Sequence, residues 1–358
     1  MRKITEKIKV GKVEIGGGTR ISVQSMTNVP TLDTRGCADQ IKKLVSAGCD
    51  IVRLAVPDLR SAEAFRVVRE ELPGVPLVAD IHFDYRVAVR CAEYGADKIR
   101  ISPGNIGGED RVKQVVNACK SRKIPIRIGV NGGSLERRLL EKYGGPSPDA
   151  LCESALDQIA MLNRFDFDDI AVSVKVSSVN AAVEANSALS ERTDHPLHIG
   201  LTEAGSMRMG IIKNTAAISA LISRGIGDTV RVSLTADPVD EVYAARDILR
   251  ALGCEGHAGM NIVSCPTCGR TRINLISAVD AFEKAVRAEG LDGIPVTVAI
   301  MGCAVNGPGE ASEADVGVAG AVGEAVVFCK GQKIGKIPED RICEYLISYI
   351  KDNYLKNA

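Results

Sequence analysis

Short runs rich in Val and Ile alternate with helix-period segments along the first two thirds of the chain. The strand-like runs are Ile21–Ser25, Ile51–Val56, Leu77–His82, Lys98–Ser102, Ile126–Asn131, Ile170–Val176, Leu197–Thr202 and Thr229–Leu234. The helix-like segments between and after them are Asp33–Ala47, Ser61–Glu71, Arg86–Tyr94, Asp110–Arg122, Asp149–Asn163, Val179–Ser190, Thr215–Ser223 and Val239–Leu252. Eight β/α units in series predict a TIM (β/α)8 barrel. An open doubly wound sheet fits less well. It usually has fewer strands and a Gly-rich turn after the first, whereas Gly16-Gly-Gly18 lies before a strand. Residues 7–15 alternate at period two around Gly11 and predict a hairpin ahead of the barrel. A Gly-rich stretch at 253–263 marks the boundary between domains 1–253 and 254–358. The second is expected to be a small α+β domain. Its helices fall near Ile273–Glu289 and Glu339–Tyr354, and its strands at Val296–Met301, Val316–Ala319 and Ala325–Cys329.

The parity of the eight runs carries more than their number. Alternate residues of a strand face opposite sides. Arg127, Gly129 and Asn131 share one face of their run, against Ile126, Ile128 and Val130. The same split separates Ser173, Lys175 and Ser177 on the sixth run, His198, Gly200 and Thr202 on the seventh, and Arg231, Ser233 and Thr235 on the eighth. Asp80 and His82 share a side, as do Lys98, Arg100 and Ser102, and Arg53 lies between Val52 and Leu54. The apolar parity should meet the helices, so the polar parity lines the interior. Most barrels fill that space with branched apolar side chains. Here it would hold Arg53, Arg100, Arg127, Lys175 and Arg231, with Asp80 and Glu203 as the acids at hand. At a separation of ~10 Å and an effective dielectric of ~20, each like-charge pair costs about 1.7 kcal/mol. A phosphorylated or diphosphorylated ligand relieves that repulsion, because Arg forks match phosphate oxygens. His82 faces the same space and is a candidate proton carrier. Glu203, at the end of the seventh run, is a candidate proton donor.

Composition narrows the field. The 358 residues carry zero formal net charge, no Trp and few aromatics, which argues against a general nucleic-acid binder. No run has the eighteen or so apolar residues of a membrane span, and the first residues carry no apolar signal core. With 11 cysteines in a chain of this type, a reducing, cytoplasmic compartment is expected. Cys37, Cys91, Cys119 and Cys152 fall in helix-like segments and read as small buried hydrophobes.

The remaining chemistry lies in two segments, Cys265-Pro-Thr-Cys268-Gly-Arg and Met301-Gly-Cys303-Ala-Val-Asn306-Gly-Pro-Gly-Glu310. A C-x-x-C pair places two thiols one turn apart. Cys303 follows a strand-like run that can return a third thiol to them. Asn306 to Gly309 is rich in turn formers and folds tightly. Three thiols are one short of the usual iron–sulfur set, and Glu310 is a candidate fourth ligand. An iron not held by thiolate can act as a Lewis acid. A structural zinc completed by Cys329 or His257, a redox-active C-x-x-C and unligated buried cysteines stay open as alternatives.

Taken together, these segments resemble the bacterial 4-hydroxy-3-methylbut-2-enyl diphosphate synthase family of the methylerythritol phosphate route to isoprenoids. The resemblance covers essentially the whole chain. It rests on Val23-Gln-Ser-Met-Thr-Asn28, Val52-Arg-Leu-Ala-Val-Pro57, Ala79-Asp-Ile-His-Phe83, Ile99-Arg-Ile-Ser-Pro-Gly-Asn105, Ile126-Arg-Ile-Gly-Val-Asn131, Gly200-Leu-Thr-Glu-Ala-Gly205 and the two cysteine segments. Lys175-Val-Ser177 departs slightly, since Ala is expected after the Lys. The resemblance implies a [4Fe-4S] cluster on Cys265, Cys268, Cys303 and Glu310. It implies 2-C-methyl-D-erythritol 2,4-cyclodiphosphate as substrate, with two electrons from reduced flavodoxin or ferredoxin. Substrate contacts are expected from Arg53, His82, Arg100, Arg127, Asn131, Lys175, Ser177, Thr202, Arg231 and Ser233. The competing readings are a dihydropteroate synthase-like barrel transferase and a zinc-stabilised binding module. In a (β/α)8 barrel the last helix returns to the bottom, while the site is at the top. A head-to-tail homodimer, each cluster domain capping its partner's barrel, is therefore expected.

Overall fold

The structure is a computed structural model that describes residues 2–305, 309 and 311–355. It divides into two compact units, 1–256 and 257–358. In the first unit eight parallel strands form the sheet: β3 (Ser22–Met26), β4 (Ile51–Ala55), β5 (Leu77–Asp80), β6 (Lys98–Ile101), β7 (Ile126–Asn131), β8 (Ile170–Lys175), β9 (His198–Ile199) and β10 (Thr229–Val230). The order runs from β8 back to β3 and then through β10 to β9. A parallel bridge between Val172 and Leu197 joins the two ends into a ring. Seven of the helices that wrap the ring are α1 (Thr34–Ser46), α2 (Leu59–Glu71), α3 (Tyr85–Glu93), α5 (Glu109–Arg122), α7 (Pro148–Asn163), α8 (Val179–Ser190) and α10 (Pro238–Ala251). Two short helices, α4 (Pro103–Ile106) and α6 (Arg137–Tyr143), interrupt the loops after β6 and β7.

Helix starts follow capping chemistry. Asp33, Asp58, Asp84, Ser147, Ser178 and Asp237 each accept a hydrogen bond from a backbone N–H in the first turn of the helix that follows. The helix expected at Thr215 begins earlier, as α9 (Met207–Ser223). Gly210 lets its first turn press against Leu234, where a Cβ would collide with the Leu side chain. Strands β9 and β10 are much shorter than expected. Gly200 takes φ +139°, and its backbone comes so close to the Arg231 carbonyl that no side chain fits. That conformation ends regular pairing after Ile199.

The helix-facing residues form the main core. Cys37, Cys91, Cys119 and Cys152 belong to it. Burial pushes the Cys37 and Cys119 thiols up to about 11 and about 12, so they stay protonated. Inside the ring the base is closed by the hairpin β1 (Ile8–Val10) and β2 (Val13–Ile15). Its Ile8, Val10 and Ile15 pack on the inward residues Ile51, Val78 and Ala171. The hairpin therefore supplies the apolar floor on which the polar interior rests.

The second unit is a five-stranded sheet in the order β11 (Asn261–Ser264), β12 (Thr297–Met301), β13 (Val316–Ala321), β14 (Glu324–Cys329) and β15 (Gln332–Pro338). The first three strands are parallel and the last two pairings are antiparallel. Helices α11 (Leu275–Ala288) and α12 (Ile342–Ile350) cover it, with Phe282, Val286, Leu346 and Ile350 in the core. Strand β15 was not expected. It is a mostly exposed edge with Lys333, Lys336 and Pro338, residue types that discourage further pairing.

Candidate active site

Strand parity places Arg53, Asp80, Lys98, Arg100, Arg127, Lys175, His198 and Arg231 inside the ring. Of these, Asp80, Lys98, Arg100, Arg127, Lys175 and His198 are buried, while Arg53 and Arg231 open slightly toward the C-terminal mouth. Asp80 is the central acid. It accepts from Arg53 Nη2 at 2.5 Å and Arg100 Nη1 at 3.1 Å, with His82 Nε2 at 3.4 Å. Burial pushes the Asp80 carboxyl up. The Arg53 charge, the hydrogen bond from His82 and the Arg100 charge outweigh that and hold it well below the usual carboxylate range. Gly129, inward on β7, leaves the space that the Arg100 guanidinium fills, and Gly200 does the same for the Lys175 ammonium.

The second buried acid differs from the one expected. Glu203 is exposed and makes no ion pair among the described residues. Glu241, from the first turn of α10, takes the place expected for it. Its carboxylate accepts from Ser25 Oγ at 3.0 Å, the Leu234 N–H at 3.0 Å and Arg231 Nη2 at 3.5 Å. A helical residue reaching over a strand end leaves no trace in strand parity, which is why the sequence does not reveal it.

Six basic side chains (Arg53, Lys98, Arg100, Arg127, Lys175, Arg231) thus face two carboxylates, and the four guanidinium groups alone exceed them by 4 − 2 = 2. Arg127 Nη1 donates to Ser173 Oγ at 2.6 Å, but among the described residues its Nε and Nη2 have no acceptor, nor does Lys175 Nζ. Burial, reinforced by the Arg231, Arg127 and Arg53 charges, pushes the Lys175 ammonium well below its usual range. Burial and the Arg53 and Arg100 charges press on Arg127 in the same direction. A guanidinium does not give up its proton in a protein, so the stress there persists as a demand for an anion.

At the mouth a cleft of about 510 Å³ collects Asn131, Ser177, Thr202 and Glu203, with Gly132 and Gly133 beside them. That volume suits a small phosphorylated metabolite. Glu203 sits there with φ +53°, a left-handed conformation uncommon for Glu. His82 is half-exposed beside Asp80, and Ser233 lies on the eighth run next to Arg231. Asn131, Ser177 and Thr202 thus lie at the mouth, and Arg100, Arg127 and Lys175 in the closed interior beneath it.

In the second unit Cys265 follows β11 and Cys303 follows β12, adjacent parallel strands in which Ser264 pairs with Ile300. The Gly302 N–H donates to Cys265 Sγ at 3.2 Å. The Cys268 turn is tied back by Thr271 and by the Arg272 N–H, which donates to the Gly302 carbonyl at 2.8 Å. The Arg270 N–H pulls the exposed Cys268 thiol below its usual range, with its side chain and Thr271 adding to the effect. Soft donors on neighbouring strand ends, with N–H groups aimed at sulfur, suit a thiolate-bound metal centre. Among the described residues alone, no three His, Cys, Asp or Glu side chains form a closed metal site. Asn306 and Glu310 lie outside the described residues. Cys329, one of the possible zinc ligands, ends β14 beyond Phe328, which pairs with Gly317 near the start of β13. That is the opposite end of the sheet from Cys303, and Cys329 Sγ donates to Tyr349 there. This removes it from the ligand set.

Fold and site define a (β/α)8-barrel protein whose interior carries more guanidinium groups than carboxylates, joined to an α+β unit with three cysteines at one end of its sheet. Residues 5–246 match the GcpE TIM-barrel domain and residues 261–352 the GcpE protein C-terminal domain. The chain belongs to the GcpE family. It is 52% identical over 351 residues to a 4-hydroxy-3-methylbut-2-en-1-yl diphosphate synthase (flavodoxin) of Ruminiclostridium cellulolyticum, covering 98% of each chain. To the enzyme of the same name from Bacillus cereus strain G9842 it is 50% identical over 345 residues, covering 96% of this chain and 92% of the relative. A type I 3-dehydroquinate dehydratase from Clostridium difficile is similar in fold alone, with TM-score 0.50, 15% identity, and coverage of 70% of this chain and 98% of that one. Among the described residues no helix is long and apolar enough to cross a membrane.

Proposed function

We propose that this chain converts 2-C-methyl-D-erythritol 2,4-cyclodiphosphate to 4-hydroxy-3-methylbut-2-enyl diphosphate. The carrying observation is the barrel interior, with its excess of buried cations and its N–H groups without acceptors. A diphosphate supplies both the charge and the oxygens that these groups lack. The names of the two relatives support the same reaction. Arg53, Arg100, Arg127, Lys175 and Arg231 hold the diphosphate, and His82, Asn131, Ser177, Thr202 and Ser233 orient the rest of the molecule. Glu203, in the mouth cleft, gives a proton to the departing hydroxyl. Two electrons and two protons enter, the ring C–O bond to phosphate opens, and one water leaves. Reduced flavodoxin or ferredoxin is the electron source. Cys265, Cys268, Cys303 and Glu310 hold the [4Fe-4S] cluster, which when bound supplies single-electron transfer and a Lewis-acidic iron.

Arg127→Ala and Arg231→Ala test the anion site. Each should weaken binding of the cyclic diphosphate by about 1.5–3 kcal/mol per lost charged hydrogen bond, with circular dichroism unchanged. Calorimetry showing wild-type affinity in both variants would remove these residues from the site.

A head-to-tail homodimer completes this reading. Gly256 packs on Arg20, just ahead of β3, so the chain leaves the barrel at its N-terminal rim. The substrate mouth is at the other rim, where Leu32, Leu59, Phe83, Met207 and Met209 are exposed. In the second unit, exposed Ile276, Val305 and Val322 lie at the cysteine end of the sheet. Exposed apolar groups clustered around functional groups mark interaction surfaces. Mixing inactive Arg127→Ala and Cys303→Ser proteins under subunit exchange should restore activity. With half the dimers mixed and one intact site of two in each, recovery should reach roughly a quarter of wild type. No recovery, with exchange verified, would rule out sites shared between chains.

A further inference from the structure

Beneath the substrate level, four inward side chains lie directly above the hairpin floor. Lys98 is two residues below Arg100 on β6, and His198 two below Gly200 on β9. Arg127 is two below Gly129 on β7, and Gln24 on β3 registers with the floor residue Ile51. Gln24, Lys98 and His198 are each 1% exposed and Arg127 is 2% exposed. Above them the ion-paired Arg53, Asp80 and Arg100 separate this level from the mouth.

Their hydrogen-bonding capacity is largely unmet. Both polar atoms of the Gln24 amide, both ring nitrogens of His198, and Nε and Nη2 of Arg127 have no hydrogen-bond partner among the described residues. Lys98 has no ion-pair partner among the described residues, and burial first, then the Arg127 and Arg53 charges, push its ammonium well below its usual range. The level is therefore rich in donors and poor in acceptors, with a guanidinium that cannot discharge. Water would meet the hydrogen bonds but not the charge. We propose that this level holds a small inorganic anion of the halide class, bound by Lys98, Arg127, Gln24 and His198 and separate from the substrate. Arg127 spans both levels: Nη1 reaches up to Ser173, which registers with Gly129 one level above, and serves the substrate side, while Nε and Nη2, without an acceptor among the described residues, are taken by the ion. The ion would offset the cation excess before substrate arrives and keep Lys98 charged inside an otherwise closed interior.

Crystals of the anaerobically purified holoenzyme soaked in sodium bromide test this directly. An anomalous bromide peak is expected within about 3.5 Å of Lys98 Nζ and Arg127 Nη2. In solution, replacing gluconate by bromide at constant ionic strength should raise Tm by about 2–4 °C. The rise should persist with saturating cyclic diphosphate and disappear in Lys98→Met. If Lys98→Met does not fold, the wild-type crystal and Tm measurements decide alone. Three results would overturn the proposal. One is no peak at this level. Another is a peak displaced by the cyclic diphosphate, which would assign the ion to the substrate site. The third is a peak without a halide-specific Tm rise, which would mean an adventitious ion only. None of these outcomes depends on the catalysed reaction.

Discussion

Cys303→Ser should give colourless, inactive protein whose fold is intact. Cys303 is half-buried in the loop after β12, and the strand end beneath it is held by bonds that do not involve its sulfur. The Gly302 N–H reaches Cys265, the Gly302 carbonyl takes the Arg272 N–H, and the Ala304 N–H donates to the Gly320 carbonyl. A serine hydroxyl fits the same space, so circular dichroism and the unfolding midpoint of metal-free protein should not change. In the proposed ligand set, what the substitution removes is one thiolate of the three that would hold iron. The iron–sulfur absorbance and turnover should both fall to background, and Cys265→Ser and Cys268→Ser should match. Glu310→Gln should be milder for iron content but severe for turnover, because a carboxylate is a weaker anchor than a thiolate. Full iron loading with normal turnover in Cys303→Ser would contradict the ligand assignment.

Asp80→Ala should be the most destabilising single change in the barrel interior. The wild-type carboxylate neutralises two guanidinium groups from adjacent strands at 2.5 and 3.1 Å. Its removal leaves the buried Arg100 and the nearly buried Arg53 without a counter-charge, a loss on the order of 3–5 kcal/mol. The pH dependence has a definite sign. The Asp80 carboxyl is held below its unfolded value, so its contribution is fully present above about pH 4 and is lost only as pH falls through its depressed native value. Denaturant titrations of wild type and Asp80→Ala should therefore run parallel from neutral pH down to about pH 4 and converge only in stronger acid. A difference that is absent at pH 7, or that grows as pH falls, would show that the pairing does not stabilise the barrel.

The interior was legible in the sequence because period-two alternation is rigid. Once Ile126, Ile128 and Val130 face the helices, Arg127 and Asn131 have only the other side. The same logic placed Arg53, Lys175 and Arg231 correctly. It failed where geometry departs from the ladder. Gly200 breaks pairing by backbone contact with Arg231, so β9 and β10 are short. Glu241 enters from a helix, so the second acid went to Glu203 instead. Strand β15 buries little, so its sequence lacks the apolar alternation that marks a core strand. The cysteine end was legible as a donor set because thiols at strand ends stand out in any pattern.

One reaction is decisive for this protein. Anaerobically purified protein, expected to be brown, is incubated with 2-C-methyl-D-erythritol 2,4-cyclodiphosphate and reduced flavodoxin, and products are followed by mass spectrometry. The expected result is 4-hydroxy-3-methylbut-2-enyl diphosphate, with two electrons consumed per molecule formed and none formed by Cys303→Ser. A colourless, zinc-containing protein that leaves the cyclic diphosphate unchanged would contradict it.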